Sequence, residues 1–76
     1  MGWLRKYVST PPGVEVGRLL QFKPGFAVEA TAKILEVHER YCVIEITWTG
    51  NGVYGVGKDY EVKHGDPDWY VVRESA

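Results

Sequence analysis

Cysteine occurs once, at Cys42, so no disulfide can staple this chain to itself. Charge of one sign is equally scarce. Nine Lys and Arg stand against ten Asp and Glu, a formal net charge of −1, which argues against the strong phosphate attraction behind sequence-independent nucleic-acid binding. No apolar run approaches the roughly 18–20 residues that span a bilayer. The start Met1-Gly2-Trp3-Leu4-Arg5-Lys6 lacks the apolar core of a signal peptide, and Lys6 stands where a myristoylation motif needs Ser or Thr. These absences predict a cytoplasmic protein in a reducing compartment, with no membrane partner.

Catalytic signatures are missing too. There is no Gly-x-Ser-x-Gly elbow, and Gly50-Asn51-Gly52-Val53-Tyr54-Gly55-Val56-Gly57-Lys58 lacks the Gly-Lys-Ser/Thr end of a phosphate loop. His64, Asp66 and Asp68, or His38 with Glu36, Glu39 and Cys42, match no common zinc or calcium spacing and are read as turn and loop residues. Cys42 has His38 four residues earlier, but it lies in phase with aliphatic neighbours and is expected in the core. No catalytic residue, metal or cofactor is assigned, and an enzyme is the less favoured reading.

What the chain does have is alternation. In Tyr41 to Thr49, Cys42, Ile44, Ile46 and Trp48 share one face of an extended segment, which predicts a β-strand. It runs into Gly50-Asn51-Gly52 and leaves with Tyr54, Val56, Tyr60 and Val62 at even spacing, which predicts a long hairpin over residues 41–62. Before it, Phe26, Val28, Ala30, Ala32 and Ile34 alternate through a strand over 26–37, preferred to a helix of similar composition; the phase slips at Leu35, as at a bulge. A first strand is expected over Val14–Phe22, closed by a type II turn at Pro24-Gly25. Asp66-Pro67 marks the last turn, and Trp69–Glu74 the last strand, with Trp69 and Val71 on one face and Tyr70 and Val72 on the other. Trp3, Leu4, Tyr7 and Val8 have helical spacing, so one or two helical turns could lay an apolar edge over one end of the body. Ser9-Thr10-Pro11-Pro12-Gly13 would stop them.

Seventy-six residues make one domain, 1–76, that buries only about 60–65% of its unfolded surface. Five strands joined by short turns predict a mainly all-β fold, a small antiparallel SH3-like or partial barrel with a short N-terminal helix as an option. Three Trp, five Tyr and two Phe are too many for so small a core to bury. Phe26, Trp48 and one of Trp69 and Tyr70 suit the core. Trp3, Tyr41, Trp69 and Tyr70 are the candidate contact surface.

The run Phe26-Ala-Val-Glu-Ala-Thr-Ala-Lys-Ile-Leu-Glu-Val-His-Glu-Arg-Tyr-Cys-Val-Ile-Glu-Ile-Thr-Trp resembles the paired long strands of hotdog-fold thioesterases, and Val56–Val62 resembles a later strand of that family. The likeness covers residues 26–62, about half the chain. It implies a sheet that pairs across a dimer. The family's long central helix and acidic or Asn-containing catalytic segment have no counterpart in Pro11–Gly25, so no catalytic residue is carried over.

Three functions follow as expectations. The first is a non-enzymatic protein-interaction or accessory module acting through exposed aromatics, as a homo-oligomer or on a protein partner. The second is a single-stranded nucleic-acid-binding barrel, with aromatics as stacking platforms and Arg5, Lys6, Arg18, Lys23 and Lys58 on phosphates. The third is a hotdog-like acyl-thioester or small-ligand protein with a site between subunits.

Overall fold

The computed structural model describes residues 10–50 and 52–72. They are all β. The strands are β1 (Leu19–Phe22), β2 (Ala30–Val37), β3 (Tyr41–Thr49), β4 (Asp59–Lys63) and β5 (Trp69–Val71). All pair antiparallel in one sheet of order β4-β3-β2-β1-β5, curled into a half-barrel whose two ends, β4 and β5, are not hydrogen-bonded to each other. This is the expected five-stranded partial barrel. The proposed helix at Trp3–Val8 and the end of the last strand at Arg73–Glu74 lie outside the described residues. Among those described, no helix is long and apolar enough to cross a membrane.

The core sits on the concave face, where alternate residues of every strand point inward. Ile34, Ile44, Ile46 and Cys42 are buried completely or nearly so, with Ala30, Ala32, Leu20, Val62 and Val14 around them. Two small residues, Ala30 and Ala32, let the sheet bend tightly over the aliphatic layer. Cys42 occupies its expected core place.

Two bulges on the β2–β3 ladder set the curl. Ile34 pairs with Ile44 but Glu36 with Val43, which leaves Leu35 as the extra residue the phase slip foretells. The second was not anticipated. Thr31 pairs with Trp48 but Ala32 with Ile46, so Thr47 is inserted, and its Oγ1 donates to the Thr31 carbonyl at 3.1 Å. One extra residue reverses the alternation. Trp48 therefore leaves the face of Ile46 and stands 49% exposed, against the expectation that it fills the core.

Strand limits differ from the sequence expectation for identifiable reasons. β2 begins at Ala30 because the Glu29 N–H closes onto the Phe22 carbonyl at 2.8 Å, which puts Phe26 in the β1–β2 loop, fully exposed rather than in the core. Gly25 does not have the positive φ that a type II turn at Pro24-Gly25 requires. The Lys23 N–H is instead committed to the Asp68 carbonyl at 2.7 Å, continuing the β1–β5 ladder. Val14–Arg18 is turn rather than strand, with the Arg18 N–H bonded to the Glu15 carbonyl at 3.0 Å and Val16 outside. On the far side of the hairpin, Tyr54 to Lys58 form a loop, turned by the Lys58 N–H to Gly55 carbonyl bond at 3.1 Å. β4 then starts at Asp59.

Candidate functional site

The open seam between β4 and β5 is the notable concavity. β5 pairs with β1 through Leu20↔Val71, Gln21↔Tyr70 and Phe22↔Trp69, and among the described residues no strand lies beside its other edge. Trp69 and Val71 turn inward and Tyr70 outward, 52% exposed, as the alternation predicts. Between β5 and the end of β4 lies a cleft of about 210 Å³. Its floor is the edge of the core, Val14, Leu20, Cys42 and Val62. Trp69 and Val71 form one wall and the turn Lys63–Pro67 the other, while Pro11 stands at the rim.

The turn wall is built rather than loose. The Asp66 N–H bonds to the Lys63 carbonyl at 3.1 Å with Gly65 at the third position at φ 86°, as a type II turn demands. Asp66 Oδ1 then accepts the Asp68 N–H at 2.9 Å, the turn-capping role read for it from the sequence. His64 anchors the wall to the β2–β3 turn: its N–H meets the Arg40 carbonyl at 3.0 Å, and its Nε2 meets the His38 carbonyl at 2.8 Å and so carries the proton. The other wall is fixed through Gly13, whose φ of 85° follows Pro12 in a turn closed by Val14 N–H to Pro11 carbonyl at 3.2 Å. A side chain there would meet Val71 Cγ1 at 2.8 Å.

One end of the seam is closed by aromatic rings. Phe22 lies 5.1 Å from both Tyr54 and Trp69, Tyr54 is 4.9 Å from Tyr60, and Tyr54 is 5.6 Å from Trp69, mostly edge to face. Each contact of this type is worth about 0.5–1.5 kcal/mol beyond area burial. The Gly55 N–H bonds to Tyr60 Oη at 3.3 Å, tying the 50–58 loop to the cluster. These four rings are spent on one another. Of the cationic candidates, Lys23 is in the β1–β2 loop, Lys58 in the β3–β4 loop and Arg18 beside Glu15 at 3.9 Å, while Arg5 and Lys6 lie outside the described residues.

Of the four residues named as a contact surface, the structure brings two together. Trp69 and Tyr70 both border the cleft. Tyr41 does not; it starts β3 and stacks on His38 with ring centres 4.7 Å apart. Trp3 lies outside the described residues. The floor residues escaped the sequence reading because alternation assigns them to a closed core and says nothing about where the sheet fails to close. Burial pushes the Cys42 thiol pKa up, which disfavours the thiolate and with it a nucleophilic role. Among the described residues, no three of His, Cys, Asp and Glu converge to hold a metal ion.

Comparison with protein-family models, characterised proteins and solved structures finds no match to this chain. The strand likeness to hotdog thioesterases includes two residues of the cleft floor, Cys42 and Val62, and gives neither a role.

Proposed function

We infer that this chain is a non-enzymatic recognition module that takes an extended segment of another protein at the β4–β5 seam. The observation that carries the reading is the open seam itself: apolar core residues form the floor of a cleft beside a strand that, among the described residues, is paired on one side only. An edge strand offers main-chain donors and acceptors to an added strand, and an adjoining apolar pocket selects the side chain. A volume of about 210 Å³ falls below the roughly 300–1,000 Å³ typical of small-molecule sites. It suits one or two side chains. The opposite edge is less inviting, since Asp59, Glu61 and Lys63 of β4 are exposed charges of the kind that discourage strand addition. A lone buried thiol suits the reducing compartment read from the sequence.

Selection from a displayed library of extended peptides tests this. Sequences with an aromatic or aliphatic anchor are expected to enrich, and Tyr70→Ala is expected to weaken the selected peptide at least about tenfold, the scale of an interface hot spot. Phe26→Ala, in an exposed loop position that does not line the cleft, is expected to leave binding unchanged. Peptides that ignore Tyr70→Ala, or a library that yields no binder, would overturn the assignment.

A further inference from the structure

We propose that the resting occupant of the seam is β5 of a second copy of this chain, the copies meeting about a two-fold axis at Tyr70, so that an extended partner binds by displacing a copy. This pairing rests on the recognition reading above, whose seam it uses, and adds its regulation. Main-chain direction sets the register. The Lys23 N–H bonds to the Asp68 carbonyl at 2.7 Å and the Val72 N–H to the Leu19 carbonyl at 3.0 Å, on either side of the pair Gln21↔Tyr70. An antiparallel ladder alternates, so Asp68, Tyr70 and Val72 turn their main-chain groups towards β1, and Trp69 and Val71 turn theirs the other way. Among the described residues no strand meets that edge. The Trp69 N–H has a long contact of 3.4 Å to the Asp66 carbonyl of its own turn.

The register that uses both outward residues of each edge pairs Trp69 with Val71 of the second copy and Val71 with its Trp69, each pair exchanging both main-chain bonds, and a two-fold axis generates it. Tyr70 then stands opposite Tyr70 of the second copy, in the position where cross-strand side chains come closest. That ring is now half exposed on the outward side, and its counterpart would cover it. Trp69 and Val71 stay on the inward side, so each cleft gains a wall from the other copy. Charge selects this edge over the other. Trp69, Tyr70 and Val71 are uncharged, whereas the same self-pairing at β4 would set the exposed Glu61 against Glu61, and like charges directly opposite are destabilising. An edge of 3 residues gives a small contact, in the class below about 1,200 Å² that forms weak, exchanging pairs. A cover of that strength yields to a partner.

Cross-linking at the axis tests the register. Opposed residues of this kind have Cα atoms about 4.5 Å apart, within the roughly 4.4–6.8 Å that a disulfide spans. In the full-length chain carrying Cys42→Ala, which removes the single native thiol, diamide is expected to link Tyr70→Cys into a covalent dimer at least about tenfold faster than Glu61→Cys, because the pairing raises the effective concentration at position 70 alone. Equal rates at the two positions, or no covalent dimer from Tyr70→Cys, would overturn the pairing. Should Cys42→Ala fail to fold, the unmodified chain decides: in a mixture of isotope-labelled and unlabelled copies, a nuclear Overhauser contact between the Tyr70 α-protons of two copies is expected, and its absence would refute the axis. A library-selected peptide at saturation is expected to lower the dimer fraction of the parent chain in light scattering. Peptide binding that leaves the dimer intact would overturn the displacement. Peptide binding to a chain that never cross-links refutes only the pairing, whereas cross-linking at position 70 with no peptide binder refutes only the recognition reading.

Discussion

Cys42 keeps only 2% of its surface exposed, and its burial sets both its chemistry and its effect on stability. The thiol's pKa lies above the ordinary 9.0 because a thiolate there loses hydration. Once the pH passes the unfolded value, the unfolded chain binds fewer protons than the native one, so stability falls as pH rises; below that value the contribution is constant. A urea-unfolding midpoint is therefore expected to be level up to about pH 8 and to decline above about pH 9, with a shallower decline in Cys42→Ala. An equal slope in that variant would assign the effect elsewhere, first to Tyr54, whose phenol burial also raises. Two glycines give a second comparison. Gly13 and Gly65 share a positive φ, but a side chain at Gly13 would strike Val71 whereas one at Gly65 would meet open space. Ala at position 65 is expected to cost about 1 kcal/mol from the backbone alone, and Ala at 13 roughly 2–3 kcal/mol. Denaturant midpoints would show the difference.

The bulge at Thr47 decides which side of β3 a tryptophan lands on. With the alternation reversed there, Ile46→Ala removes a fully buried side chain and is expected to cost about 2–5 kcal/mol, while Trp48→Ala, outward with its ring over Gly50, is expected to cost about 1 kcal/mol or less. Thr47→Val removes the bond to the Thr31 carbonyl and is expected to cost about 0.5–1.5 kcal/mol. A larger loss at Trp48 than at Ile46 would show that β3 keeps a single phase. The same strand shows how far sequence reasoning reached. Cys42, Ile44 and Ile46 were legible as core because their alternation is uninterrupted, and the Leu35 bulge was legible because two apolar residues, Ile34 and Leu35, adjoin there. Thr47 carried no such mark: Trp48 is apolar, so the pattern reads as continuous whether or not a residue is inserted. Phe26 misled for a related reason, since Phe26 and Val28 extend the period of β2 into a loop whose limits are set by the distant carbonyls of Phe22 and Asp68. Within the candidate site, Trp69 and Tyr70 were legible as contact residues, Asp66-Pro67 as a turn and Cys42 as core. That the turn and the edge of the core face one cleft depends on which strands end the sheet, a property of topology that no local pattern contains.

At the scale of the whole molecule, a small sheet that stops short of closure has two ways to cover its open seam, from its own chain or from another. The sequence favoured a homo-oligomer on the grounds that so few residues leave apolar surface uncovered. The β4–β5 seam says where that tendency should appear. Val14, Leu20 and Val62 lie at the floor of the cleft, beside an edge of β5 that no strand of the described residues covers. The mass of the chain, 8.6 kDa as a monomer, is therefore expected to climb across a concentration series in size-exclusion chromatography with light scattering, as copies add edge to edge. Tyr70→Lys on the outward face of β5 should return the chain towards the monomer, because a charge on the edge opposes strand addition without touching the core. Self-association that survives Tyr70→Lys would move the sticky surface away from β5, to the exposed Phe26 and Trp48.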